Sequence, residues 1–164
     1  MAFSLRLKTL SSLLFFLAAG VTQALGQDGA VLQITTPASQ NAPLVLSQAE
    51  LQSLPQGRFE TSTIWTDGIV TFSGVPLRAL FERYDIQGTT VEMVALNDYA
   101  VAMPIADIQE DAPLLATHMN GVALSVRDKG PFWIVFPYDR DPKYQTEVVY
   151  SQSIWQLNRL NIVD

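Results

Sequence analysis

Residues 132–136 read Phe-Trp-Ile-Val-Phe, five apolar side chains with no polar break. A strand with one wet face alternates apolar and polar residues. An unbroken run of this length reads instead as a strand buried on both faces, at the centre of the fold. A chain that contains it must supply covering layers on both sides.

The rest of the sequence supplies short pieces. Val31–Thr35 alternates like a half-buried strand. Ser47-Gln-Ala-Glu50 is a capping box opening a short helix that Pro55 ends. Arg58–Trp65 reads as a strand, turned by Thr66-Asp67-Gly68 into Ile69–Phe72, so that the pair forms a hairpin. Ser73-Gly74-Val75-Pro76 is expected to start a second helix, Leu77–Tyr84, with Leu77, Leu80, Phe81 and Tyr84 on one face. Thr90–Leu96 and Tyr99–Met103 are strands around an Asn97-Asp98 turn. Ile105–Glu110 is at most a helical turn, and Pro113–His118 fits strand or helix. Asn120-Gly121 marks a tight turn, Asp139–Gln145 a charged loop, and Ile154–Val163 a closing strand. Many short strands with two or three short helices define an α+β domain with mixed β-sheets. No strand–helix–strand repeat carries a glycine-rich phosphate loop, which argues against a dinucleotide fold.

The N-terminus has a targeting pattern. Arg6 and Lys8 precede an apolar run, Leu10–Val21, and Ala24-Leu25-Gly26 places small residues where a signal peptidase reads them. The expected cut follows Gly26, giving a signal peptide over 1–26 and one domain over 27–164. Removing the leader leaves eight basic residues against sixteen acidic ones, a net charge of −8. Such a body repels nucleic-acid phosphates, so no nucleic-acid partner is expected. The expected compartment is a bacterial periplasm, because secreted domains of this size commonly carry disulfides and this chain has no Cys.

The same absence narrows the chemistry. Without Cys there is no thiolate metal ligand and no cysteine nucleophile. With one imidazole, His118, multi-histidine metal sites and most histidine-relay hydrolases are excluded. Asp139, Asp141 and Glu147 lack the spacing of a recognised calcium loop.

Three segments occur in a particular order: Trp65-Thr-Asp-Gly68 with Phe72-Ser-Gly-Val-Pro-Leu-Arg-Ala-Leu80; Asn97-Asp-Tyr99 with Met103-Pro104; and Leu115-Ala116, Asn120-Gly121 and Lys129-Gly-Pro-Phe-Trp-Ile-Val-Phe-Pro137. This series resembles the oxidoreductase molybdopterin-binding domain, the sulfite-oxidase-like fold shared with periplasmic methionine-sulfoxide-reducing molybdoenzymes. The resemblance covers roughly two-thirds of the mature chain. In the enzymes, a Cys on an early core strand holds the molybdenum. The corresponding strand here offers Thr61, Ser62 and Thr63, hydroxyls that do not replace a soft thiolate. Trp133 stands where the enzymes tend to carry an Arg for the anionic cofactor. The chain is more similar to small exported members without the Cys, some of which resemble a periplasmic pterin-binding protein. That protein reports to a membrane-bound receptor making or breaking cyclic-di-GMP, a diguanylate cyclase or phosphodiesterase.

The resemblance therefore implies a non-catalytic protein with no metal, no covalent cofactor and a pterin-like ligand. A pterin needs aromatic walls and a few polar groups at its edge. Trp65, Tyr99, Trp133 and Tyr138 are candidate walls, and Asn97, Asp98 and Asn120 candidate edge readers. Arg78, Arg127 and Lys129 are candidate contacts for a polar side chain or phosphate. Each has a plainer alternative: Trp133 and Trp65 as packing residues, the Asn pairs as turn formers, the cations and His118 as solvated or structural groups. Two other functions stand beside the sensor: a molybdopterin oxidoreductase subunit, and an interaction protein that kept the fold without a ligand.

Overall fold

The computed structural model describes residues 29–40 and 42–164. The expected signal peptide and its cut after Gly26 lie outside them. Two five-stranded sheets carry the fold. The first has the order β2-β1-β10-β5-β6, with β1 (Val31–Thr35), β2 (Leu44–Ser47), β5 (Thr90–Ala95), β6 (Ala100–Pro104) and β10 (Leu157–Val163). β10 is its middle strand, parallel to β1 and antiparallel to β5. The second runs β3-β4-β7-β8, with β3 (Gly57–Ser62), β4 (Ile69–Pro76), β7 (Leu114–Met119) and β8 (Val122–Ala123). β9 (Trp133–Val135) pairs with β7 beside β8. Among the described residues no helix is long and apolar enough to cross a membrane.

The apolar run is buried as its composition requires, although its strand is not central in strand order. β9 bonds β7 along one edge. Its other edge is covered by the approach to β10, through Ile134 N–H to the Ile154 carbonyl and Leu157 N–H to the Phe132 carbonyl, both 2.9 Å. The two-residue period of a strand then sorts the run into two cores. Phe132, Ile134 and Phe136 enter the larger core with Leu32, Leu80 and Leu160. Trp133 and Val135 enter a smaller one with Phe59, Phe72 and Leu124. Trp65 packs against both.

Helix α1 (Gln48–Gln52) has the expected capping box: the Ser47 N–H donates to Glu50 at 2.8 Å, and the Ser47 hydroxyl accepts from the Glu50 N–H. Helix α2 (Leu77–Arg83) buries Leu77, Leu80 and Phe81 as its spacing predicts. It starts at Leu77 as expected, but residues 73–76 before it are not a separate helix-starting turn and continue β4. The cause is a close crossing. A Cβ on Gly74 would lie 2.1 Å from the Leu115 carbonyl oxygen of β7, so only glycine lets the two strands stay paired at this bulge. Residues 113–118, ambiguous in sequence, fall largely in β7. A third helix, α3 (Glu147–Ser151), follows a Thr146 cap whose Oγ1 accepts from the Val149 N–H.

Candidate functional site

β3 stops at Ser62 rather than running on to Trp65. Its end is tied to the segment after β9: Asp139 accepts from the Ser62 N–H at 2.5 Å and from the Ser62 hydroxyl at 2.8 Å. The Asp139 N–H donates to Thr61 Oγ1. These bonds hold the Asp139 carboxyl below the usual carboxylate range. The chain then leaves the sheet in a turn where Thr63 Oγ1 takes the Trp65 N–H at 3.0 Å and meets Thr66 Oγ1 at 2.8 Å. Beyond that turn the Trp65 ring packs against both cores.

Two chain segments meet Trp65 there and line a cleft of about 350 Å³. The β5–β6 turn brings Ala95, Asn97 and Tyr99; α3 and the residues after it bring Tyr150, Ser151, Ser153, Ile154 and Trp155. No Asp, Glu, Lys, Arg or His lines it. The aromatic wall is built edge to face. Trp65 lies 5.7 Å from Trp155, 6.0 Å from Tyr150 and 6.1 Å from Trp133 between ring centroids. Trp133 lies 6.3 Å from Trp155. The three tryptophans of the chain therefore form one triangle. Tyr138, almost wholly buried, stacks on Tyr150 at 5.1 Å and supports the floor. Burial pushes its hydroxyl pKa up to about 12.

Of the residues singled out in the sequence, Trp65, Asn97 and Tyr99 line the cleft. Asn97 Oδ1 accepts from the Tyr99 N–H at 3.2 Å, closing the turn. Trp133 stands behind the wall at 0% exposure; its Nε1–H has no hydrogen-bond partner. Lys129, left-handed at φ 66°, places its ammonium 5.8 Å from the Trp133 ring. Arg127 lies on the exposed 3₁₀ turn 126–128, outside the cleft lining. Asp98 takes the left-handed turn position at φ 63° and pairs with Arg159 of β10 at 2.5 Å. Asn120 turns the β7–β8 hairpin and exchanges two bonds with Thr71: its N–H to the Thr71 carbonyl at 2.8 Å, and the Thr71 N–H to its Oδ1 at 2.9 Å. Arg78 pairs with Glu82 one helical turn on. His118 bonds Thr117 Oγ1 through Nδ1 at 2.8 Å, away from the cleft lining.

Tyr150, Ser153 and Trp155 were not read from the sequence as site residues. Trp155 falls inside the expected closing strand Ile154–Val163, whereas β10 begins only at Leu157. Its signal was a large aromatic in the polar sequence Ser-Gln-Ser-Ile-Trp-Gln.

The donor set does not fit a thiolate-held molybdenum. The chain has no Cys. Thr61, Ser62 and Thr63 are engaged: the Thr61 hydroxyl with Ser62 and Asp139, the Ser62 hydroxyl with Asp139, and the Thr63 hydroxyl with Thr66 and Trp65. Among the described residues, no three His, Cys, Asp or Glu side chains are grouped so that they could hold a metal ion.

Among solved structures, the fold is similar to that of the sulfane dehydrogenase SoxCD from Paracoccus pantotrophus, with a TM-score of 0.63 and 20% identity over 86% of this chain. The match takes in 40% of the SoxCD chain, so this chain spans well under half that relative's length. A search of curated proteins finds no match. The family model for the oxidoreductase molybdopterin binding domain matches residues 31–139, which run from β1 to the Asp139 tie, and the chain belongs to that family.

Proposed function

We propose that this member of the family is an exported, non-catalytic protein that binds an uncharged pterin-like heterocycle and reports it to a membrane-bound receptor of the cyclic-di-GMP type. The observation that carries the binding half is the cleft: walls of Trp65, Tyr99, Tyr150 and Trp155, polar groups at its edge, and no charged lining residue. A volume of about 350 Å³ suits a small bicyclic ring, at the lower end of ligand pockets. Stacking and burial contribute about 1–3 kcal/mol, and each satisfied polar contact about 0.5–1.5. Micromolar affinity, about −8 kcal/mol, is within reach without a metal. The uncharged lining disfavours a phosphate-bearing pterin, whose dianion would be desolvated with no cation to meet it.

The signalling half rests on the resemblance to small exported family members without the Cys. A ligand signals only if the partner distinguishes bound from free surfaces. Tyr99 and Trp155, 57% and 39% exposed at the mouth, are where bound ligand would alter the surface. The test is twofold. Neutral pterins should quench the tryptophan fluorescence of the exported protein at micromolar concentration and raise its melting temperature. Capture of a membrane receptor from the host should then change with ligand. No quenching and no thermal shift at millimolar pterin contradicts the binding half; capture indifferent to ligand contradicts the signalling half.

A further inference from the structure

Hydrogen-bond accounting at the cleft floor assigns a polarity to Ser153. The residue lines the cleft yet is only 4% exposed. Its hydroxyl lies 2.8 Å from the Val149 carbonyl oxygen, which can only accept, so the single Ser153 proton is committed there. The Tyr138 hydroxyl lies 2.5 Å from the same Ser153 oxygen. With the serine proton taken, Tyr138 must be the donor of that bond. A serine oxygen has two lone pairs, and Tyr138 occupies one. Ser153 therefore meets the cleft as an acceptor that cannot turn into a donor without breaking a buried bond.

Asn97, brought to the lining by the β5–β6 turn, has the reverse polarity. Its Oδ1 takes the Tyr99 N–H, and a backbone N–H can only donate, so the oxygen is identified and the amide NH₂ is left for the cleft. Ser151, also in the lining, gives its proton to the Val148 carbonyl at 2.7 Å, but it is exposed and keeps its water. The cleft thus sets a buried fixed acceptor, Ser153, beside a donor at Asn97.

We infer that Ser153 is the specificity-determining residue of the cleft and selects heterocycles presenting an N–H donor, such as an exocyclic amine, next to a ring carbonyl. The inference rests on the reading of the cleft as a pterin site and adds which edge of the ring is read and by which atom. A carbonyl in place of the amine sets two acceptors against each other with no proton between them. That costs more than a missing contact, because neither oxygen keeps its water.

The probes are pterin and lumazine, the same bicyclic ring with the exocyclic amine of pterin replaced by a carbonyl. Tryptophan quenching gives the dissociation constant of each for the wild-type protein, Ser153→Ala and Asn97→Ala. The wild type is expected to prefer pterin by about tenfold or more. Ser153→Ala should bring the two constants within about threefold of each other, mainly by weakening pterin. Asn97→Ala should weaken both to a similar degree and keep the preference, since both rings carry the carbonyl it meets. Equal binding of the two probes by the wild type, or a folded Ser153→Ala that keeps the full preference, overturns the assignment of Ser153 while leaving the pterin site standing. Binding of neither probe overturns the pterin site and this inference with it. Should Ser153→Ala fail to fold, the wild-type ratio decides alone.

Discussion

Trp65 and Trp155 meet edge to face, 5.7 Å between ring centroids at 62°, yet they stand 90 residues apart in the sequence. Trp65 follows the end of β3 and packs against both cores; Trp155 precedes β10 and is 39% exposed. The pair separates binding from folding. Trp155→Ala removes a wall that belongs to neither core, so pterin affinity should fall by about 1–3 kcal/mol with a smaller loss of stability than at Trp65. Trp65→Ala removes a wall and a joint between cores, so stability should also fall by about 3 kcal/mol. Titration calorimetry and urea denaturation of both variants check this. Equal destabilisation by the two would contradict the division of roles.

Asp139 ties the end of β3 to the chain beyond β9, and its carboxyl is held below its usual range by the Ser62 bonds. A depressed folded-state value means the tie stabilises fully above the unfolded carboxylate pKa of about 3.9 and is lost as pH falls through the folded value. The stability gap between wild type and Asp139→Ala should therefore be present at pH 7 and narrow below pH 4. Denaturant midpoints across that range measure it, and a gap that widens on acidification would be the wrong sign.

Asp98 is turned toward Arg159, not into the cleft. An exposed ion pair of this kind contributes about 0–1 kcal/mol. Asp98→Asn should leave pterin affinity within about twofold, even though a carboxylate suits an aminopyrimidine edge in principle. A tenfold loss would return Asp98 to the site.

Gly74→Ala tests the β4–β7 crossing. Its Cβ would sit 2.1 Å from a backbone oxygen, an atom with no flexible tail to move. Destabilisation should reach or exceed the upper part of the usual overpacking range, about 1–3 kcal/mol. A neutral substitution, read from the thermal midpoint, would mean the strands can part there.

Much of this architecture was legible because it rests on local rules. The Ser47 capping box, the Asn120-Gly121 turn and the α2 stripe of Leu77, Leu80 and Phe81 all sit where spacing puts them. The five-residue apolar run was legible as buried, but its split between two cores appears only once β7 and the 154–157 stretch close on it. Gly74 reads as a helix-start residue until a distant strand crosses it. The cleft was half legible: Trp65, Asn97 and Tyr99 lie near turn signals, whereas Tyr150, Ser153 and Trp155 are gathered by α3, whose Thr146 cap was not read as one. Asp98 and Asn120 had the right chemistry for an edge reader, but their partners, Arg159 and Thr71, are 61 and 49 residues away in sequence. Residue type suggests what a group can do, and the long-range partner decides what it does.

Titration calorimetry of the metal-free exported protein with a neutral, phosphate-free pterin tests the pterin site most directly. One site per chain, micromolar affinity and a heat unchanged by chelator are expected. Absence of heat at millimolar pterin, or binding that appears only in protein carrying stoichiometric molybdenum, would contradict it.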